Sequence, residues 1–150
     1  MGKVIYTLEE LGVEAARFVA ALAPRAEGAI LVTLAGELGA GKTAFVQAAA
    51  RALGVEDVVT SPTFVLEKIY SLSPKSGHSM STFGRLVHID AYRLESGAGL
   101  VPLGFDELMK DSSNLVLLEW PERVADALPP PTAHITFVIN SDGSRTLSYA

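Results

Sequence analysis

The 150 residues, 49% hydrophobic and 19% charged, amount to about one domain's worth of chain, which excludes two independent cores and a chain kept disordered by low hydrophobicity. Seventeen acidic against twelve basic residues leave a net charge of −5, which excludes the long-range positive field that draws nucleic acid. The absence of cysteine excludes disulfides, thiolate metal sites and a cysteine nucleophile.

No stretch approaches the ~18 apolar residues of a membrane span, and the first residues lack a signal-peptide layout. The cytoplasm is the expected compartment, with no membrane partner. From Thr7 onward, Leu8, Leu11, Ala15, Phe18, Val19 and Leu22 recur near helical spacing, with Thr7 and Glu10 placed as a capping box. A first helix is predicted over residues 8–23. After Pro24 and Gly28, residues 29–35 form a short, nearly continuous apolar run, the pattern of a strand buried on both faces. Glycine-rich residues 36–41 follow at once, and residues 42–53 read as a helix stopped by Gly54.

Residues 64–70 alternate as a half-buried strand, and the serine-rich stretch 71–83 reads as an exposed loop. Residues 85–89 and 115–118 are two more apolar runs, each followed by an acid, Asp90 and Glu119. Short helices are predicted over 104–110 and 121–128, the second with proline in its first turn and Pro129 to Pro131 ending it. Residues 134–140 and 145–150 flank Asp142-Gly143, a hairpin signal; this antiparallel hairpin is expected to close the sheet. The expected fold is a single α/β domain over residues 1–150: three layers around a mainly parallel sheet with an antiparallel C-terminal hairpin.

Residues 36–43, GELGAGKT, satisfy the P-loop pattern G-x-x-x-x-G-K-[ST]. The pattern needs a buried strand before it and a helix after it, because loop N–H groups and the helix N-terminus together cradle a polyphosphate. Both flanks are predicted here. Glu37, Leu38, Gly39, Ala40, Gly41, Lys42, Thr43 and Ala44 are the expected nucleotide contacts, with Lys42 reaching the β- and γ-phosphates and the Thr43 hydroxyl a magnesium ligand. Such a site also needs carboxylates to hold the metal shell and to orient water. Asp90 and Glu119 both qualify, since strands ending in them would bring both to the carboxyl edge of a parallel sheet. Residues 60–64, TSPTF, taken alone are a proline turn entering a strand. The three histidines show no metal-ligand spacing, Trp120 reads as packing, and Arg93 and Arg123 read as exposed residues that can reach phosphate or a partner.

GELGAGKTAF, SPTF, HIDAYRL and LEWPERV, in this order, together resemble the TsaE (YjeE) family, bacterial P-loop ATPases required for threonylcarbamoyladenosine modification of tRNA. The resemblance spans nearly the whole chain and implies Mg-ATP as cofactor, with Gly41, Lys42 and Thr43 as nucleotide and metal contacts. It implies Thr63 as a switch-like residue, Asp90 as the Walker B acid and Glu119 as a second acid. It also implies that Glu119 coordinates magnesium with Thr43 and leaves Asp90 for water. The implied partners are TsaB and TsaD, with tRNA reached through their complex and ATP hydrolysis resetting that assembly between turnovers. The stretch 71–83 is longer than the family pattern. A small-molecule kinase is the main alternative, and a nucleotide-dependent binding module without appreciable turnover of its own is another. A GTPase would need the Asn/Thr-Lys-x-Asp motif, which this chain lacks.

Overall fold

The computed structural model describes residues 2–55, 66–72 and 83–150. Strand β1 (Gly2–Ile5) leads into helix α1 (Leu8–Ala20). The Thr7 hydroxyl accepts from the Glu10 N–H at 3.1 Å, and the Glu10 carboxylate reaches back to the Tyr6 N–H at 3.0 Å. The capping box is therefore made, with its return bond one residue further out than the usual pattern. The helix stops three residues short of the predicted end. The N–H groups of Ala21 and Leu22 turn to Phe18 and Val19 carbonyls three residues back, tightening the last turn ahead of Pro24, which cannot continue the ladder.

The apolar run forms β2 (Ile30–Gly36), whose first five residues are buried, and α2 (Lys42–Ala52) follows the glycine loop. Next come β3 (Glu67–Ser71), β4 (Arg85–Asp90), a 3-10 segment at Gly97–Leu103, α3 (Phe105–Lys110) and the wholly buried β5 (Asn114–Glu119). The predicted helix over 121–128 is instead a 3-10 segment, Pro121–Ala127, broken at the buried, non-helical Val124. Burying Val124 against the sheet takes precedence over a regular turn here. β6 (Ala133–Ile139) and β7 (Arg145–Tyr149) complete the chain.

The seven strands form one sheet in the order β1-β7-β6-β2-β5-β4-β3. The four central strands β6, β2, β5 and β4 run parallel, and the outer pairings are antiparallel. The C-terminal hairpin forms as expected, with the Gly143 N–H on the Asn140 carbonyl. It does not close the sheet, because β1 adds outside β7 with Gly2 opposite Ser148.

Helices α1 and α2 cover one face, over a core that includes Phe18, Val32, Leu34, Phe45, Leu117 and Phe137. The 3-10 segments and α3 cover the other, over Leu31, Val87, Ile89, Phe105, Leu118 and Val124. Three layers result. Phe45, fully buried, meets Phe18 and Phe137 edge-on at 5.8 and 5.6 Å, locking α2 to α1 and to β6. A second lock ties α1 to β7. Tyr149 donates to Glu14, Arg17 grips the same carboxylate at 2.6 and 3.0 Å, and Phe18 stacks on the Tyr149 ring. The Arg17 hydrogen bond holds the Glu14 carboxyl below its ordinary range, while burial pushes the Tyr149 hydroxyl up. No described helix is long and apolar enough to cross a membrane.

Candidate functional site

Strands β2, β4 and β5 end together, at Gly36, Asp90 and Glu119. In register, Asp90 lies beside Glu119, and Glu119 beside Leu34 near the end of β2. The glycine loop springs from that edge and enters α2 through Gly41, an N-cap in left-handed conformation with no side chain bonded to the helix start. The first-turn N–H groups are thereby left to an anion, which the helix dipole also favours.

Lys42, only 4% exposed, curls back over the loop. Its ammonium donates to the Gly36 carbonyl and, at 2.9 Å, to the Glu37 carbonyl, and lies 4.3 Å from the centre of the Trp120 ring. Burial holds its pKa below the ordinary lysine range, against the opposing pull of Glu119, Glu122, Asp90 and Glu37. The Thr43 hydroxyl donates to both oxygens of Glu119, at 3.0 and 3.1 Å. His88 approaches the same carboxylate from within the sheet, Nε2 to Oε2 at 2.6 Å. Asp90 accepts the Tyr92 N–H at 3.0 Å, and its carboxyl is pushed up, first by burial and then by the neighbouring Glu119.

Trp120 adopts φ 62° and ψ 52°, a left-handed conformation for a bulky residue, which costs of order 1–3 kcal/mol. Its surroundings hold it there: its N–H bonds the Leu34 carbonyl, Tyr92 packs on the ring at 4.9 Å, and Arg123 lies over both rings.

A cleft of about 570 Å³ runs through these groups. Residues 38–44, Asp90 and Glu119 line it, so the loop and both acids expected from the sequence converge. Glu37 takes part through its carbonyl on Lys42. Thr63 lies outside the described residues, as do Phe64, Val65 and most of the stretch 71–83. Ile5, Tyr6, Leu8 and Leu11 contribute an apolar part of the cleft wall, and Tyr92, Arg93 and Trp120 line it as well.

Four participants escaped the sequence reading. His88 was the one polar residue inside an apolar run, a signal that metal-ligand spacing could not find. Trp120 was marked by its place beside Glu119 in LEWPERV, but the packing assigned to it understates its place 4.3 Å from the Lys42 ammonium. Arg145, which lines the cleft and donates to the Gly39 carbonyl at 3.0 Å, and the β1–α1 wall carried no local signal.

The sequence model of the family described as "Threonylcarbamoyl adenosine biosynthesis protein TsaE" matches residues 8–147. The chain is similar to the tRNA threonylcarbamoyladenosine biosynthesis protein TsaE of Treponema pallidum, 38% identical over 83% of each chain. It is also similar to that of Bacillus subtilis, 32% identical over 79% of this chain and 68% of the relative. Among solved structures, Bacillus subtilis YdiB superposes with a TM-score of 0.69 at 26% identity, over 99% of this chain and 83% of that one. The chain thus belongs to the TsaE family of tRNA threonylcarbamoyladenosine biosynthesis proteins.

Proposed function

We propose that the chain, acting as one domain in the cytoplasm, binds Mg-ATP in this cleft and hydrolyses it. In this reading it serves as an accessory ATPase with TsaB and TsaD in modifying the adenosine next to the tRNA anticodon. The observation that carries the reading is the Thr43 hydroxyl hydrogen-bonded to both Glu119 oxygens at the start of the helix that follows the glycine loop.

The residues present fit magnesium. Hydroxyl and carboxylate oxygens are hard donors, and the Glu119 carboxylate with the Thr43 hydroxyl suits a cation that phosphate oxygens and waters complete. Burial is the main cause that raises the Asp90 pKa, with the Glu119 charge second; a divalent cation near the two acids would relieve that repulsion. Bound there, the metal would neutralise charge developing on the phosphate oxygens.

The chain's own groups divide the remaining work. Loop and α2 N–H groups hold the phosphates, and Lys42 exchanges its two carbonyl partners for phosphate oxygens. Thr43 and Glu119 would hold the metal. Asp90, steadied by the Tyr92 N–H at the cleft wall, orients the attacking water, a task that a raised carboxylate pKa assists. The wall of Ile5, Tyr6, Leu8 and Leu11 suits the flat, apolar faces of a base.

The test is Mg-dependent ATP hydrolysis by the purified chain, alone and with TsaB and TsaD, with Lys42→Ala as the blank. Stimulation by the pair that vanishes in Lys42→Ala supports the reading. Lys42→Ala binding and hydrolysing ATP like wild type would refute the P-loop assignment. Arg93 lining the same cleft as the acids favours one second reading, phosphoryl transfer to a small acceptor. Turnover that ignores the pair and responds to an added acceptor would establish that kinase instead.

A further inference from the structure

Along β4 the run Leu86-Val87-His88-Ile89 is buried, and His88 is fully enclosed within it. Strand side chains alternate between faces, so His88 shares the face of Leu86, which packs into the core under α1 and α2. Its Nε2 donates to Glu119 Oε2 at 2.6 Å, and its Nδ1 has no hydrogen-bond partner among the described residues.

Burying an imidazole strips water from both ring nitrogens, and among the described residues only one regains a partner. An apolar side chain would fill this position without that loss, so packing does not account for a histidine. Its one hydrogen bond among the described residues is to the carboxylate that also accepts the Thr43 hydroxyl. A carboxylate offers about four acceptor sites. With a strand-borne N–H and a helix-borne hydroxyl both on it, Glu119 is restrained where it lines the cleft, with acceptor capacity left over for a cation. Partners behind a metal-binding carboxylate characteristically do this, and their loss costs about 10–100-fold in metal affinity.

We propose that His88 is a positioning residue: it pins Glu119 so that Glu119 and Thr43 present their oxygens to magnesium. The proposal rests on the Mg-ATP reading above, and the test separates the two.

ATP affinity is measured by calorimetric titration of the full chain, in magnesium and in EDTA, for wild type, His88→Leu and His88→Gln, with thermal unfolding alongside. Expected is His88→Leu that folds and binds ATP in EDTA within about twofold of wild type, but whose affinity gain from magnesium shrinks about tenfold. His88→Gln, which keeps an N–H within reach of the same oxygen, should restore that gain to within about threefold. His88→Phe, planar and without an N–H, carries the comparison if His88→Leu does not fold.

An undiminished magnesium gain in His88→Leu overturns the positioning role while leaving the Mg-ATP site intact. Equal loss in His88→Leu and His88→Gln, loss in EDTA as well as in magnesium, or failure of both apolar variants to fold makes His88 a structural residue and overturns the proposal. A wild-type chain that binds no ATP, or gains nothing from magnesium, overturns the Mg-ATP reading itself.

Discussion

Two glycines of one loop should fail in opposite ways when given a methyl group. Gly36 pairs with Phe137 where β2 leaves β6, and a Cβ on it would stand 2.5 Å from the Phe137 carbonyl oxygen and 3.0 Å from the Phe137 Cβ. The nearest obstacle is backbone of the neighbouring strand, which cannot swing aside. Gly36 also sits at φ 151°. Backbone strain of about 1–3 kcal/mol and overpacking of a similar size together give a loss of about 4 kcal/mol for Gly36→Ala. For a chain of this length that lowers Tm by roughly 12 °C.

Gly39, at φ 80°, has no heavy atom of the described residues within 4 Å of a built Cβ. Gly39→Ala should therefore cost only the left-handed strain, about 1–2 kcal/mol, or roughly 4 °C. Gly39 lines the cleft, however, and a methyl group there stands where the loop backbone must approach a phosphate. ATP affinity should fall about tenfold or more, a loss of at least ~1.4 kcal/mol. Urea unfolding of the nucleotide-free protein reads the first effect, and calorimetric titration with ATP the second. Gly36→Ala losing less than about 1 kcal/mol, or the two variants losing equal stability, would refute the steric argument. Unchanged ATP affinity in Gly39→Ala would refute the placement of the phosphates.

Asp90→Asn should keep ATP affinity within about fivefold, Glu119→Gln should keep it in EDTA but lose about tenfold or more of the gain from magnesium, and each should lose hydrolysis by about 100-fold or more; phosphate release at wild-type rate by either removes that acid from the mechanism. Phe45→Ala, which empties the contact between α1, α2 and β6, should lose about 3–5 kcal/mol in urea unfolding, and a loss below 1 kcal/mol would mean the three elements are held together otherwise. Glu14 has its folded pKa depressed below its ordinary value of 4.5 by Arg17. Its contribution is therefore fully present above that value and disappears as pH falls through the folded pKa. Against Glu14→Gln, which can still accept the Tyr149 hydroxyl, wild type should be more stable by about 1 kcal/mol at neutral pH. That gap should close on acidification below 4.5, and a gap independent of pH would exclude the ion pair as its source.

Local chemistry was legible where a short stretch decides its own conformation. Thr7 and Glu10 announced the start of α1, the apolar run of β2 announced burial on both faces, and GELGAGKT announced the loop between strand and helix. The two acids were legible as a pair because each ends an apolar run and parallel strands bring their ends to one edge. The failures differ in cause: the 3-10 break at Val124 follows from what lies beneath that residue in the core, and the early end of α1 from a local tightening of its last turn ahead of Pro24.

By itself the sequence determined the class of fold, the glycine loop between strand and helix and the acids that line the same cleft, because hydrophobic period, glycine spacing and strand-end position are properties of contiguous residues. The tertiary structure alone decided strand order and the connections that complete the site. β1 became the edge strand although three of its four residues are exposed, because β7 offered it an unpaired ladder. His88 met Glu119 across 31 residues, Thr43 met it across 76, and Arg145 reached Gly39 across 106. Contacts at such separations depend on how the whole chain closes around its core, and no local pattern encodes which side chain the closure will bring to hand.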